Sequence, residues 1–366
     1  MVETILTHFK TQGTFAKAER YGSGLIHDTW LCSFKEGDTL HQYILQRINT
    51  SVFQQPQKLM ENMAVVTSHI MSRLRAQGVA DPEKNALSLV PAWSGKSYVL
   101  DGSREYWRAF PFLDSGGVFD TVGDPELAYE IGRGLGGFQA LVSDLPTRRL
   151  NLVLRGFHHT QTYLKECDDA LREDTNKRAQ EIQPEITFIK RRISLAQALT
   201  AAMDTGWIPL RVVHNDPKVN NVLIHVITGK AICMIDLDTV MPGLAPVDFG
   251  DCIRSACNPA GEDAKDFSTV RLDLQLFEAL ARGYLSEARA FLTENEIAML
   301  PIAAKVVTFE LGLRFLADYL RGDTYFKITH PEHNLHRARV QFLLLESIEK
   351  AEPEMVDIIK GILKEK

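Results

Sequence analysis

The residues whose types and spacing could do chemistry lie between positions 212 and 251. Asp216 and Asn221 stand just before one short apolar run, and Asp236 stands just after the next. A polar segment around Gly229 separates the two runs, which predicts two strands joined by a tight turn. Folding that hairpin returns Asp236 to the neighbourhood of the other two side chains. Carboxylate and amide oxygens suit Mg²⁺, and one carboxylate remains to receive a hydroxyl proton.

The spacing His214-x-Asp216-x(4)-Asn221, closed by Asp236 after the hairpin, is the phosphoryl-transfer template of kinase-like folds. In this template the first Asp accepts the proton of the acceptor hydroxyl or orients that hydroxyl for attack. The Asn and the second Asp hold Mg²⁺ against the phosphates of ATP. Lys218 neutralises charge that develops on the transferred group, as its position in the motif implies. The alternative, an ordinary surface hairpin, does not explain why three metal-type side chains fall at one end.

The chain resembles the aminoglycoside phosphotransferase and choline kinase superfamily. Within it, the segments most similar to bacterial N-acetylhexosamine 1-kinases are HNDPKVNNVL, MIDLDTVMPG, VDFGDCIR and RFLADYL–GDTYFK. The similarity runs in order from about Gly22 to Gln341. It implies an α/β (α+β) bilobal protein-kinase-like fold, with ATP between the lobes. A small antiparallel β-sheet N-lobe would span 1–108, and a large, mostly helical C-lobe would span 109–366.

The resemblance implies a nucleotide site in the N-terminal lobe. Gly22, Ser23 and Gly24 precede an alternating strand, at the point where the family has its glycine-rich loop. Glycines there let backbone amides approach phosphates closely. Phe110 falls where the family's interlobe hinge meets the adenine edge.

Arg47, at the end of the second N-terminal strand, is the candidate cation for the α- and β-phosphates, because it resembles the Arg used by choline kinases. Side chains alternate along a strand, so a register error of one residue would place Gln46 there instead. Arg47 on a solvated face is the alternative. Glu61, near the start of a predicted helix at 56–77, either pairs with Arg47 or is a surface carboxylate.

Four residues in the C-terminal part are predicted to bind the acceptor: Arg314, Tyr319, Tyr325 and Arg337. Arginine and aromatic side chains bind a polyhydroxylated ring by hydrogen bonds to its hydroxyls and by stacking on its apolar face. Salt bridges between helices are the alternative for each. The branch resemblance implies an N-acetylhexosamine acceptor (GlcNAc or GalNAc), phosphorylated on its anomeric hydroxyl to a sugar 1-phosphate.

Three further carboxylates lie close to the hairpin. Asp248 begins a literal Asp-Phe-Gly, but Asp236 already fills the metal role of that motif. Asp248 and Asp251 are therefore expected to hold the catalytic loop by hydrogen bonds or to contact the substrate. Asp238 either joins the metal shell or orients Lys218.

A G-x-G-x-x-G pattern at 132–137 lies inside a predicted helix. The dinucleotide-binding fingerprint requires a preceding strand, so this pattern is interpreted as small residues that allow close helix packing.

Two groups of histidines are interpreted as structural. His158 and His159 are expected to be a helical pair at a surface or lobe seam, since adjacent helical residues do not share a face. His330, His333 and His336 recur at a spacing of three, but a proline interrupts them, which disfavours a metal site.

Composition limits the function classes. A chain of 366 residues with 45% hydrophobic and 24% charged residues is an ordinary globular protein of two domains or lobes. The net charge of -6 argues against nucleic acid as a partner. No apolar run approaches the roughly 20 residues of a membrane span. Five scattered cysteines and a first segment without a signal-peptide pattern favour a cytoplasmic protein. A monomer and a homodimer are both compatible with the sequence.

Three rival functions remain open. The same fold phosphorylates choline, homoserine or aminoglycosides, although a cationic acceptor would favour an acidic or aromatic pocket over one containing Arg314 and Arg337. A nucleotide-binding pseudokinase is disfavoured, since such proteins usually lose at least one residue of the catalytic set. A hydrolase is the weakest alternative, because no separate water-activating group is evident.

Overall fold

The computed structural model describes residues 2–22 and 26–365. Its ten strands are β1 (Thr14–Arg20), β2 (Asp28–Glu36), β3 (Thr39–Arg47), β4 (Val99–Leu100), β5 (Tyr106–Pro111), β6 (Gly116–Gly117), β7 (Arg211–Val213), β8 (Val222–His225), β9 (Ala231–Met234) and β10 (Met241–Gly243). Its ten α-helices are α1 (Val2–Leu6), α2 (Pro56–Ala76), α3 (Pro125–Val142), α4 (Thr160–Glu173), α5 (Gln183–Lys190), α6 (Ala198–Asp204), α7 (Ala245–Ala256), α8 (Leu274–Ala288), α9 (Glu294–Leu320) and α10 (His333–Lys364).

The N-terminal lobe is a five-stranded antiparallel sheet in the order β1-β2-β3-β5-β4. Because side chains alternate along each strand, the sheet has two different faces. Leu45 and Trp107 pack with α1 on one face. Ile44 and Phe110 pack toward α2 and the core of the C-terminal lobe on the other. Strand β5 continues to Pro111, past the predicted lobe boundary at residue 108.

Gly132 and Gly136 of the 132–137 pattern, with Gly283 on α8, allow helices α3 and α8 to come into close contact. A Cβ atom on Gly132 would lie 2.1 Å from the carbonyl oxygen of Leu280, and one on Gly283 would lie 1.9 Å from that of Tyr129. Only glycine fits where two helix backbones approach this closely. The interpretation of the pattern as a packing feature is confirmed.

The predicted catalytic hairpin is present. Strands β8 and β9 pair antiparallel, with Val222 opposite Met234. The next backbone hydrogen bond runs from the amide of Ile235 to the carbonyl of Asn221 at 2.9 Å. Asp236 therefore follows directly after the residue bonded to Asn221, as the sequence predicts.

The C-terminal lobe is mostly helical, and its two longest helices are α10, with 32 residues, and α9, with 27. Helix α9 contacts α4, α7 and α10. Thr293 caps this helix in a capping box with Glu296, as the sequence predicts. In the part of the chain that the structure describes, none of the helices combines the length and apolarity that crossing a bilayer requires. A small antiparallel sheet joined to a large helical lobe is the predicted α+β bilobal arrangement.

Candidate active site

The loop between β7 and β8 brings the predicted catalytic residues together. Lys218 Nζ lies 3.0 Å from Asp216 Oδ2. Asn221 Nδ2 donates to the backbone carbonyl of Asp216 at 2.8 Å and lies 3.3 Å from Asp216 Oδ2. The Asp216 side chain is 31% exposed, so a hydroxyl group from solvent can reach it. Although burial opposes its charge, the Asp216 carboxylate raises the pKa of Lys218, which keeps this cation charged.

Asp236 lies at the end of the hairpin in a left-handed backbone conformation (φ 60°). Burial of its carboxyl and the negative charges of Asp238 and Asp216 raise the pKa of Asp236 to about 6. Mutual repulsion of carboxylates is relieved by a divalent cation. Asn221 uses its amide nitrogen within the loop, and among the described residues no donor bonds to its side-chain oxygen. That oxygen and the Asp236 carboxylate are the available hard ligands.

Asp248, on α7, holds the loop between β7 and β8, which is the predicted catalytic loop. Its carboxylate accepts from the backbone amides of His214 and Asn215, at 2.8 and 2.7 Å, and from Gln139 Nε2 at 2.9 Å. His214 then connects the loop to the hairpin, because its Nε2 lies 2.9 Å from the carbonyl of Ile235. Of the two roles considered for Asp248, the structure shows the loop-holding one.

Asp251 is buried on α7 and is bound by an arginine. Arg254 Nε donates to it at 2.8 Å, and Arg254 Nη1 donates to Glu262 at 3.1 Å. Burial opposes ionisation of Asp251, but Arg254 and His158 lower the pKa of Asp251, so it remains a carboxylate. It adds a fixed negative charge beside the catalytic loop.

Asp238 has neither of the roles expected for it. Its carboxylate forms a two-point ion pair with Arg108 of β5, and Oδ2 lies 2.6 Å from His27 Nε2. Although burial opposes it, Arg108 and then His27 hold the pKa of Asp238 far below its usual range. With both oxygens bonded to the N-terminal lobe, Asp238 neither orients Lys218 nor remains available as a metal ligand.

The predicted phosphate loop is described in part. Gly22 has φ 75°, which favours glycine, whereas Ser23 and Gly24 lie outside the described residues. Gly22 and Arg47 line one cavity of about 480 Å³ at the end of the sheet. Lys327, from the C-terminal lobe, lines the same cavity. The structure therefore brings Gly22 of the predicted phosphate loop together with cations from both lobes.

The register of β3 separates Gln46 from Arg47. Arg47 lies on the α1 face, where its Nε donates to Asp28 of the neighbouring strand at 3.0 Å. Gln46 lies on the opposite face, where Arg108 Nε donates to its side-chain oxygen at 2.9 Å. Of the two residues left open by the sequence, Gln46 lies on the Arg108 face of the sheet, and Arg47 lines the cavity at the end of the sheet.

Of the two alternatives for Glu61, the ion pair with Arg47 is not formed, and Glu61 is an exposed carboxylate. Asp28, directly opposite Arg47 in the sheet, binds its guanidinium group instead. Glu61, on α2, accepts from Asn151 Nδ2 at 3.1 Å. A helix glutamate cannot reach an arginine on the far face of the sheet.

Phe110 lies just before the chain leaves the N-terminal lobe. It is paired with Ile44 in the sheet and its ring is buried in the core. The following segment is more accessible: Phe112 donates its amide to Gln42, and its ring contacts Tyr21 edge-on at 5.6 Å. The connection between the lobes therefore begins after Pro111.

Arg314 of α9 lies among aromatic rings. Its guanidinium carbon is 5.1–6.0 Å from the ring centroids of Phe157, Tyr163, Tyr325 and Phe326. Among the described residues, no carboxylate forms a salt bridge with it. Although burial opposes its charge, nearby Tyr163 and Glu310, with Tyr325 and Asp216, raise the pKa of Arg314. Arg314 is thus a cation with available donors, within electrostatic range of the Asp216 carboxylate.

Tyr325 lies at the mouth of this aromatic cluster and is 61% exposed. Its segment is fixed by Asp318, whose carboxylate accepts from the backbone amides of Thr324, Tyr325 and Phe326 at 2.9 Å each. The ring is therefore presented from a preformed loop.

Tyr319 and Arg337 bind within the protein instead of joining Arg314. Tyr319 is buried, and its hydroxyl donates to Glu181 at 3.0 Å. Arg337 forms an ion pair with Asp263, with Nε–Oδ1 at 2.6 Å. Arg337 thus forms a salt bridge, the alternative considered for it, and Tyr319 forms a hydrogen bond within the protein.

The histidines differ from expectation in one case. His158 is not helical: it has φ 57° and precedes α4, with its ring against the catalytic loop. His333 Nε2 lies 2.9 Å from Asp263 Oδ1, and the ring of His330 stacks on the ring of His333. Among the described residues, no three His, Cys, Asp or Glu side chains are grouped as a metal site.

A small antiparallel sheet joined to a helical lobe, with Asp216, Asn221 and Asp236 around one hairpin, is typical of two-lobed, kinase-like phosphotransferases. The chain belongs to the phosphotransferase enzyme family, whose sequence profile matches residues 17–292. This confirms the superfamily resemblance.

Solved structures agree with the fold. An aminoglycoside phosphotransferase from Alicyclobacillus acidocaldarius is 13% identical with a TM-score of 0.62, over 98% of this chain and 95% of that one. Choline kinase from Cryptosporidium parvum Iowa II is 15% identical with a TM-score of 0.55, over 95% and 91%. A spectinomycin phosphotransferase in complex with ADP and spectinomycin is 12% identical with a TM-score of 0.57, over 95% and 97%. The predicted α+β bilobal fold is confirmed.

Proposed function

We propose that this protein is an ATP-dependent, Mg²⁺-requiring kinase that transfers the γ-phosphate to a sugar hydroxyl. The preferred acceptor is the anomeric hydroxyl of an N-acetylhexosamine, GlcNAc or GalNAc, and the product is the sugar 1-phosphate. Family membership supports the reaction class. The observation that carries the acceptor class is Arg314, a cation with available donors surrounded by aromatic rings beside the catalytic loop.

Asp216 accepts the proton of the acceptor hydroxyl. The hydroxyl oxygen forms a bond to the γ-phosphorus, the bond from that phosphorus to the β–γ bridging oxygen breaks, and ADP leaves. Lys218, 3.0 Å from Asp216, compensates negative charge on the transferred group. Phosphoryl transfer depends on positioning and charge neutralisation more than on covalent chemistry, so this small set suffices.

The donor set fits Mg²⁺. Asn221 offers its amide oxygen and Asp236 its carboxylate, both hard oxygen ligands of the kind that Mg²⁺ takes along with phosphates and water. The raised pKa of Asp236, about 6, agrees with a site that is completed by positive charge. When bound, the ion would neutralise phosphate oxygens. Asp238 is excluded from this set by its ion pair with Arg108.

The nucleotide lies between the lobes in this proposal. The spectinomycin phosphotransferase of the same fold was solved with ADP, which supports a nucleotide as donor. Gly22, Arg47 and Lys327 line the cavity that would take the phosphates. Arg47 shares Asp28 with Arg20, so this pair of arginines retains a net positive charge. The adenine edge would meet the backbone that follows Phe110.

The acceptor is neutral or polar in this proposal because Arg314 occupies the aromatic cluster. Its guanidinium group can donate to an acetamido carbonyl or to ring hydroxyls, while Tyr325 offers a ring for stacking. A cationic acceptor would have to displace the arginine, since like charges in a partly buried site repel.

A choline, homoserine or aminoglycoside kinase is the second candidate. Four aromatic rings are also how proteins bind quaternary ammonium groups. If Arg314 moved out, the remaining rings (Phe157, Tyr163, Tyr325 and Phe326) would suit choline.

The test is an acceptor screen with ATP and Mg²⁺, scored by ADP release. The panel contains N-acetylhexosamines, hexoses, choline, homoserine and aminoglycosides, and product phosphorylation is assigned by NMR. Turnover of choline, homoserine or an aminoglycoside with none of any sugar refutes the acceptor class. Asp216→Asn should lower kcat by about 10²–10⁴-fold. The control is Asp204→Asn, an exposed carboxylate on α6.

A further inference from the structure

One histidine joins the catalytic loop to the helix that carries Arg314. His158 Nδ1 lies 2.8 Å from Glu310 Oε1, and His158 Nε2 lies 2.7 Å from the backbone carbonyl of Asn215. The His158 side chain is only 10% exposed. Glu310 and Arg314 are one helical turn apart on α9, and Asn215 directly precedes Asp216.

Both ring nitrogens of His158 face acceptors. A carboxylate and a carbonyl can only accept, so both contacts are satisfied when the ring is an imidazolium that donates from each nitrogen. Burial opposes this charge, but Glu310 on α9, the carbonyl of Asn215 and Asp251 on α7 raise the pKa of His158 to about 9. The second oxygen of Glu310 accepts from Thr160 Oγ1 at 2.9 Å, which fixes the carboxylate.

Asn215, whose carbonyl His158 binds, is held by further contacts as well. Asn215 has φ 66°, its amide donates to Asp248, and its side-chain nitrogen donates to the carbonyl of Thr239 at 2.9 Å. These contacts hold Asn215 to Asp248 of α7 and to Thr239. The contact with His158 is the one that ties it to α9. Without that contact, the side of the loop toward the aromatic cluster around Arg314 is no longer held.

The backbone of His158 itself is in a conformation that L-residues rarely adopt, with φ 57°. Its ring also contacts Phe157 at a centroid distance of 4.3 Å, and Phe157 is one of the rings around Arg314. The turn therefore places Phe157 in the aromatic cluster around Arg314 and places His158 against the catalytic loop.

We propose that His158 is a positioning residue for phosphoryl transfer. By bridging Glu310 and the carbonyl of Asn215, it sets the position of the Asp216 carboxylate relative to the acceptor bound at Arg314. The inference rests on the proposed function, because Asp216 is the base in both. His158 contacts no substrate in this role and acts through Asn215.

The experiment compares His158→Gln with His159→Gln in the full chain, using the acceptor with the highest turnover in the screen. His159 is the matched control, since the hydrogen bond with the Thr162 hydroxyl at 3.0 Å is the only one that its ring forms among the described residues. His158→Gln should lower kcat by about 10–100-fold, the effect of a displaced reacting group. The KM for ATP and the Kd for ADP should change little, because His158 does not contact the nucleotide cavity. A merely structural defect would instead lower the fraction of active enzyme and leave kcat per active site unchanged.

Glu310→Gln provides the second variant, which keeps an acceptor oxygen for His158 and serves if His158→Gln does not fold. If the two residues act as one unit, the double variant should lose little more kcat than the worse single variant. A wild-type enzyme with turnover, together with unchanged kcat per active site in the variant that folds, overturns the role of His158 alone. A wild type without turnover on any acceptor overturns the proposed function, and this inference with it.

Discussion

Arg108 of the N-terminal lobe and Asp238 of the C-terminal lobe form a buried ion pair beside the proposed metal site. Arg108 Nη2 donates to Asp238 Oδ2 at 2.7 Å, Nη1 bonds to the other oxygen, and the two side chains are 1% and 3% exposed. Gln46 and His27 complete the network. Asp238 is two residues from Asp236, so this contact sets the position of the nucleotide lobe relative to the catalytic hairpin.

Arg108→Met should destabilise the protein by about 3–5 kcal/mol, because it leaves the Asp238 carboxylate buried with only His27 as a side-chain partner. Urea denaturation at neutral pH measures the free energy of unfolding. The control is Arg20→Met, which removes an exposed arginine from its pair with Asp28 and should cost at most about 1 kcal/mol. Equal losses in the two variants would show that the buried pair has no special role.

The hairpin and its three side chains could be predicted because local rules determine them. A tight turn fixes which residues of two strands are opposite each other, so Asp236 had to return toward Asn221. The antiparallel register and the 2.9 Å bond from Ile235 to Asn221 agree with that reasoning. The packing role of the glycine pattern at 132–137 could also be predicted from local rules, because the pattern lies inside a predicted helix and lacks the preceding strand of a dinucleotide site.

The contacts between lobes could not be predicted, because they depend on register and on distant segments. Strand alternation says that Gln46 and Arg47 face opposite sides, but only the packed sheet shows which side meets the C-terminal lobe. Arg108 stands in an apolar strand, which signals burial, yet its partner is 130 positions away. His158 lies in a segment without periodicity, and its left-handed conformation has no local sequence signal.

Gly283→Ala should destabilise the protein by about 3 kcal/mol, at the upper end of overpacking costs, because the added methyl group meets the backbone of α3. Gly137→Ala is the control on α3, where a Cβ atom has no described neighbour within 4 Å. It should instead stabilise the protein by roughly 0.5–1 kcal/mol through helix propensity. Thermal and urea unfolding of both variants measure the difference. Similar stability of the two variants would contradict the close approach of α3 and α8.

Arg314→Met should raise the KM for the acceptor by about 10–100-fold, the effect of losing a hydrogen bond from a charged group. Arg314→Lys should recover part of this loss, because it keeps the charge but not the planar fork. The KM for ATP should stay nearly constant in both. The control is Arg337→Met, whose guanidinium group is bound by Asp263. Initial-rate kinetics measure these KM values. A larger effect of Arg337→Met than of Arg314→Met would place the acceptor site near α10 instead.

The charge of His158 should appear in the pH dependence of stability. Its pKa is about 9 in the folded protein and about 6.5 in an unfolded chain. A raised folded pKa gives a stability contribution that is fully present below the unfolded pKa and is lost as the pH rises through the folded one. The difference in the free energy of unfolding between wild type and His158→Gln should therefore be larger at pH 6 than above pH 9, by about 3 kcal/mol.

That difference should shrink between about pH 6.5 and pH 9. Urea denaturation of both proteins across this range measures it, with His159→Gln as the matched variant. In proteins that carry Glu310→Gln, the stability difference between histidine and glutamine at position 158 should already be smaller at pH 6. The reason is that the Glu310 carboxylate is the strongest of the contacts that favour the imidazolium. A difference between wild type and His158→Gln that is constant over the whole range would mean that the ring is neutral. In that case one of its two acceptor contacts, with Glu310 or with Asn215, would lack a proton.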